Sequence, residues 1–382
     1  MEEFMEKVKR KERESNFELL RIISMFMIVL WHVLCTMGGY DKTTGTLRFI
    51  FILIMCIIVV HVNSFVLVTG YFSTKKTSTW KKAISLIGQM WFYKIVLALI
   101  TFFLTDEMTV FQFVQELTPL DLIRNYWFID VYILLLFFIP YINILISKIS
   151  QKQYRQLLVI SFVLLSVLPF ITSQAMVAHN GYDIVQFIFL YLIGAYLMKY
   201  PIEKNEHFKN VSKNKIQIFT ILIFVLCVFF QVALYYLSLD LLETTSPFLK
   251  DAGEALNSGR LLIGIFTYNS PLVMIQSVAY FMFFRTLTIK SRVINYVAGL
   301  TFGVYLLHEN FYFRNFFMYE PFDVGPYMDG KFMVVYVLFT ALVIFVGCLV
   351  VEAIRKLLAK ICKYIKPLQS MKKKAIDYIE AV

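Results

Sequence analysis

Ionisable side chains set in apolar sequence point to chemistry, because each costs about 2.5 to 3.5 kcal/mol at the centre of a lipid-embedded helix and is kept there for a reason. The stretch from Asn16 to His32 holds three of them: Glu18, Arg21 and His32. Glu18 and Arg21 stand three residues apart, which lets opposite charges pair on one helix face. Arg21 precedes His32 by eleven residues, which at about 100° each is three turns plus about 20°, with a rise of about 16.5 Å. One helix thus presents a guanidinium low and an imidazole high to the same side. A guanidinium can grip a phosphate with two parallel bonds, and a neutral imidazole can take the proton from a hydroxyl nucleophile. Two plainer readings stand beside these: Arg21 can snorkel to lipid headgroups, and His32 can serve as a hydrogen-bonded strut between helices.

Counting about 1.5 Å per residue along alternating spans places other polar groups near the level of His32. Lys94, Gln231 and His308 each climb about 20 Å from the same side, Asp130 descends to a similar depth from the other, and Glu309 follows His308 directly. Such a layer predicts a water-filled cavity. The candidate catalytic residues are therefore His32, Arg21 and Glu18, with His308 and Glu309 in support. Lys75, Lys76, Lys81 and Lys82 lie beside the Arg21 end. Trp127, Asp130, Lys94 and Gln231 are candidates for contacting substrate, although Lys94 and Asp130 can equally form a structural pair. His61, with Asn63, reads as too deep to touch His32. No metal site is expected: the histidines show no HExxH or i, i+4 pair, and His179 and His207 fall in loops on opposite sides. Cys35, Cys56, Cys227 and Cys348 lie in apolar runs and Cys362 in the tail, without a CxxC pair. No Walker-type loop, GxGxxG or GxSxG elbow occurs.

The elements that must position these residues follow from composition. The chain has 382 residues, 59% hydrophobic and 16% charged, with a mean hydropathy of +0.68. That excludes a soluble fold. Spans of about 20 apolar residues read at 17 to 37, 48 to 72, 80 to 104, 126 to 146, 156 to 174, 183 to 200, 216 to 239, 268 to 288, 295 to 315 and 331 to 352. The predicted fold is an all-α integral membrane protein of ten helices over 17–352, with a basic segment at 1–16 and a basic amphipathic tail at 353–382. Of the 37 Lys and Arg, 28 fall on one set of alternating loops and seven on the other, so the positive-inside rule puts both termini in the cytoplasm. The net charge of +11 is thereby a topology signal, and no nucleic-acid surface is read from it. The first span ends in Cys-Thr-Met-Gly-Gly, without a small-residue cleavage site, and is expected to be retained. The long outer loop at 240–267 is a candidate lid.

The stretch Asn16-Phe-Glu-Leu-Leu-Arg-Ile-Ile-Ser-Met-Phe-Met-Ile-Val-Leu-Trp-His32 resembles the opening motif of the membrane acyltransferase 3 family: an acid, an Arg three later and a His after ten intervening residues. Asn63 to Phe72, Asn125 to Asp130 running to Pro140 and Asn143, Phe189 to Tyr196 and Phe302 to His308 are similar to the same family. The resemblance implies a multi-pass plasma-membrane enzyme that moves an acyl group, usually acetyl, from acetyl-CoA to a hydroxyl of a cell-surface glycan. It implies that the first-span Arg and His are required, and that acyl-CoA is a co-substrate, with no bound cofactor. Where the family often carries an arginine pair near the junction of the second and third spans, this chain has Lys75, Lys76, Lys81 and Lys82, which attract phosphate without a bidentate fork. The competing class is a transporter or flippase for a glycan or small metabolite, which would also need a polar midplane; no inverted repeat is evident to favour it.

Overall fold

Lipid offers the backbone no hydrogen-bond partner, so a chain this apolar must satisfy its amides within helices or a closed barrel. The computed structural model describes residues 13–38, 42–106, 108–119, 126–172, 179–204, 206, 211–242, 246–247, 250 and 266–362, and among these there is helix and no strand. Helices α1 (Ser15–His32), α2 (Gly45–Ile58), α3 (His61–Ser73) and α4 (Trp80–Leu104) are followed by a short α5 (Val110–Glu116). Then come α6 (Trp127–Lys148), α7 (Gln151–Phe162), α8 (Ile184–Lys199), α9 (Lys213–Leu242) and α10 (Pro271–Thr286). Three short helices, α11 (Arg292–Ala298), α12 (Thr301–His308) and α13 (Phe311–Arg314), precede the long α14 (Met333–Cys362).

Among the described residues, seven helical stretches are long and apolar enough to cross a bilayer: Ser15–Thr36, Gly45–Ser73, Trp80–Leu104, Trp127–Lys148, Gln151–Ile171, Lys213–Leu241 and Met333–Ile361. The all-α membrane fold is as the sequence predicts. The ten expected spans differ in detail, however: α8 and α10 have 16 residues each, and the stretch expected to span 295–315 is broken into α11, α12 and α13. The break after His308 has a local cause. Asn310 caps α13, its side chain accepting from the Phe313 amide at 3.1 Å, while the Tyr126 hydroxyl donates to the Leu306 carbonyl at 2.8 Å and accepts from Asn310 Nδ2 at 3.2 Å. Side chains have taken over backbone groups that a continuous helix would pair with itself. The expected lid at 240–267 and tail at 353–382 fall largely outside the described residues, as do most of the basic segment at 1–16, Asn125 and His207.

Close crossings lock the frame. A Cβ on Gly70 of α3 would come within 2.2 Å of the Tyr191 carbonyl oxygen, and one on Gly194 of α8 within 2.2 Å of the Leu67 carbonyl oxygen. The two backbones approach so nearly that only glycine fits on either side. Pro140, inside α6, lacks the N–H that would bond the Leu136 carbonyl four residues back. The Thr79 hydroxyl donates to that carbonyl instead, tying the turn before α4 to the middle of α6. At the Arg21 end of the bundle, fully buried Glu352 of α14 accepts from Tyr93 at 2.6 Å and from Gln89 at 3.2 Å, both on α4, and pairs with Arg355. Gly303 of α12 makes room for it, since a Cβ there would lie 2.5 Å from the Glu352 side chain.

Candidate active site

His32 is the last residue of α1 before the helix widens into a π-type turn over Val33–Gly38, a feature common beside functional residues. Its Nδ1 lies 3.1 Å from Nε2 of His308, the last residue of α12. The helix break beyond His308 brings the next residue round as well, so Glu309 Oε2 lies 3.2 Å from His32 Nδ1. Glu309 Oε1 accepts from Arg314 Nη1 at 2.8 Å. His308 and Glu309 are buried, whereas 21% of the His32 side chain remains exposed.

The proton positions follow from one bond. His308 Nδ1 lies 2.7 Å from the Val304 carbonyl oxygen, which can only accept, so Nδ1 carries the hydrogen. With both rings neutral, His308 Nε2 is then an acceptor and His32 Nδ1 its donor, leaving the lone pair of His32 on Nε2. A base oriented in this way is held by a second group that is itself held by the backbone.

The Arg21 end gathers positive charge. Arg21 pairs with Glu18 at 2.8 Å, as the three-residue spacing predicts. Lys82 donates to the Tyr132 hydroxyl, with its Nζ 4.8 Å from the ring centre, and the same hydroxyl lies 2.9 Å from Thr69 Oγ1. Lys76, in the turn between α3 and α4, is held below the usual lysine range, chiefly by partial burial and then by the charges of Lys82 and Arg21. Lys75, in the same turn, and Lys81, in the first turn of α4, are exposed. A cluster of like charges at the mouth of a buried hydroxyl is suited to an anion.

Other candidates lie elsewhere. Lys94 is fully buried, with Glu116 of α5 supplying a carboxylate 3.8 Å from its ammonium. Sequence reasoning offered Asp130 as its partner and missed Glu116, which sits on a short helix between spans. Gln231 is also fully buried and bonds Gln276 at 2.7 Å and the Cys227 carbonyl at 3.2 Å, so it joins α9 to α10. Asp130 is half-buried in the first turn of α6. Trp127 belongs to an aromatic group with Tyr182 at 4.6 Å and Tyr268 at 5.9 Å between ring centres. His61 packs its ring against Trp31 and Tyr268, so it borders the residue next to His32. A groove of about 780 Å³ between α7, α8, α9 and α10, lined by residues such as Phe162, Phe219 and Val278, holds none of these groups.

Two contributors escaped the sequence reading. Arg314 counted only as a loop charge, although its position five residues after an intramembrane acid was a usable signal. Tyr132 gave none, being one tyrosine among 23. Residues 14–353 match a family model described as an acyltransferase domain. No curated protein and no solved structure matches the chain.

Proposed function

The chain belongs to the membrane acyltransferase 3 family and is an acyltransferase, and from that premise we propose that it transfers an acyl group, acetyl in the first instance, from acyl-CoA to a hydroxyl of a cell-surface or exported glycan. The observation that carries the reading is the His32–His308–Val304 relay, which leaves a directed lone pair on His32 Nε2. That nitrogen takes the hydroxyl proton as the acceptor oxygen bonds to the thioester carbon. The carbon–sulfur bond then breaks, and the proton passes to the departing thiolate. The CoA phosphates sit at the Arg21 end, where Arg21 supplies the bidentate fork and Lys76 and Lys82 add charge, with Lys75 and Lys81 at the rim. About 16.5 Å of helix separates Arg21 from His32, a distance for the extended pantetheine arm to climb. With both termini cytoplasmic in the plasma membrane, the Arg21 end faces the acyl-CoA pool. Trp127 and its aromatic neighbours border the acceptor entrance, and Asp130 lies a turn away. No observation favours the carrier reading.

Acyl-CoA turnover by the purified protein tests this. His32→Ala should remove about 10²- to 10⁴-fold of the turnover while membrane insertion and donor binding persist. Arg21→Lys keeps the charge without the fork and should raise the apparent Kd for acyl-CoA by about tenfold. Wild-type donor affinity in Arg21→Lys would return that residue to snorkelling. Mass spectrometry of surface glycans with and without the gene identifies the acceptor; an unchanged glycan acylation pattern would overturn the glycan assignment.

A further inference from the structure

The relay around His32 has a second chemical capacity, because the three atoms that meet there are all metal donors. His32 Nδ1, His308 Nε2 and Glu309 Oε2 lie within 4.8 Å of one another, with 3.1 Å between the two nitrogens and 3.2 Å from His32 Nδ1 to the carboxylate oxygen. In a tetrahedral zinc site with bonds of about 2.0 to 2.1 Å, neighbouring ligand atoms stand about 3.3 Å apart. Two of the three edges are therefore already near that spacing.

The surroundings are those of a ligand set. The non-ligating nitrogen of His308 is anchored on a backbone carbonyl, and the other oxygen of Glu309 is anchored on Arg314. Such outer contacts orient metal ligands. Glu309 Oε2 is buried and accepts no hydrogen bond among the described residues, which leaves a carboxylate lone pair directed into the cluster. His32 is partly exposed, so an ion has a route in and an open coordination position. Two imidazoles and one carboxylate select zinc and its transition-metal neighbours over magnesium or calcium. The cation of Arg314, 2.8 Å from the far oxygen, opposes a divalent ion and makes this a reversible site.

We propose that His32, His308 and Glu309 bind a zinc-class ion whose occupancy switches the transferase off. Coordination uses the lone pair of His32 Nδ1, so the single proton of the neutral ring moves to Nε2. The ring keeps its charge and loses its directed base. Occupancy and catalysis are then mutually exclusive. The inhibitory half rests on the reading of His32 as the base; the binding half does not.

The test uses full-length protein in detergent, stripped with a chelator and titrated with Zn²⁺. Bound zinc is measured by elemental analysis and calorimetry, with acyl-CoA turnover followed in parallel. About one zinc per chain should bind, with turnover falling about 10²-fold at saturation and returning on chelation. Glu309→Gln should lose the zinc. Arg314→Gln removes the opposing cation and keeps an amide donor for the far oxygen of Glu309, so it should bind zinc about tenfold more tightly, a gain that misfolding would not produce. Absence of zinc binding in both the wild type and Arg314→Gln overturns the site and leaves the base assignment standing. Binding through these residues with unchanged turnover overturns the switch and the base assignment together. Stripped protein that is inactive until zinc is added overturns the inhibitory role, because the ion would then be serving the reaction.

Discussion

Replacing His308 separates the proposed base, His32, from the group that aims it. His308→Ala removes the acceptor for His32 Nδ1–H, now 3.1 Å away, and with it the constraint that keeps the His32 lone pair on Nε2. The net value of one such hydrogen bond is about 1 kcal/mol, and a buried donor left without a partner costs about 1 to 3 kcal/mol. At 1.36 kcal/mol per factor of ten, a loss of 1 to 2 kcal/mol lowers kcat about 5- to 30-fold. His32→Ala removes the base itself, worth about 10²- to 10⁴-fold. The two variants should therefore differ by several-fold at least. The double variant should be no slower than His32→Ala, since His308 acts through His32. The assay is release of free CoA thiol at saturating acceptor, with kcat separated from the KM for acyl-CoA. That KM should stay at its wild-type value in His308→Ala, because the phosphate site proposed for the donor lies at the other end of α1. If His308→Ala proves as slow as His32→Ala, or if the double variant loses a further tenfold, the base stands on α12 and the relay runs the other way.

Three further outcomes follow from the packing. Gly70→Ala and Gly194→Ala each force a methyl onto a backbone carbonyl 2.2 Å away, so each should destabilise the protein by about 1 to 3 kcal/mol, read as a lower Tm in detergent. A wild-type Tm in both would refute the close crossing of α3 and α8. Thr79→Val orphans the Leu136 carbonyl and should cost about 1 to 3 kcal/mol, yet much less when combined with Pro140→Ala, which returns an N–H to that carbonyl. Additive losses in that cycle would show that Thr79 acts elsewhere. Arg285 grips Glu203 with two bonds of 2.9 and 2.7 Å, and these bonds hold the Glu203 carboxyl below its ordinary value of 4.5. A lowered carboxyl stabilises the fold above its unfolded value, and the contribution fades as pH falls through the lower folded one. Arg285→Gln should therefore flatten the fall in Tm below about pH 4.5, and an unchanged profile would mean that solvent screens the pair entirely.

The pairing of Glu18 with Arg21, and the alignment of Arg21 and His32 on one face, were legible in the sequence because both are intrahelical: fixed rise and rotation convert spacing into position. The membrane fold and most span limits were legible for a related reason, since bilayer thickness imposes one length on every apolar run. Depth counting also placed His308 and Glu309 near the level of His32. It did not name Glu116 beside Lys94 or Gln276 beside Gln231, because depth gives height along the bundle and says nothing of azimuth. Lys94 turns toward Glu116 and Gln231 toward Gln276. The break after His308 was likewise invisible, for it depends on Tyr126, some 180 residues away, supplying the hydrogen bond that the helix gives up. Only tertiary structure could bring Glu309 onto His32 and Arg314 onto Glu309, or seat Tyr132 beneath Lys82, since each contact joins segments whose relative rotation is set by packing. Sequence determined which residues are costly to keep in lipid and how high each stands. The rotation of each helix against its neighbours decided which of them meet.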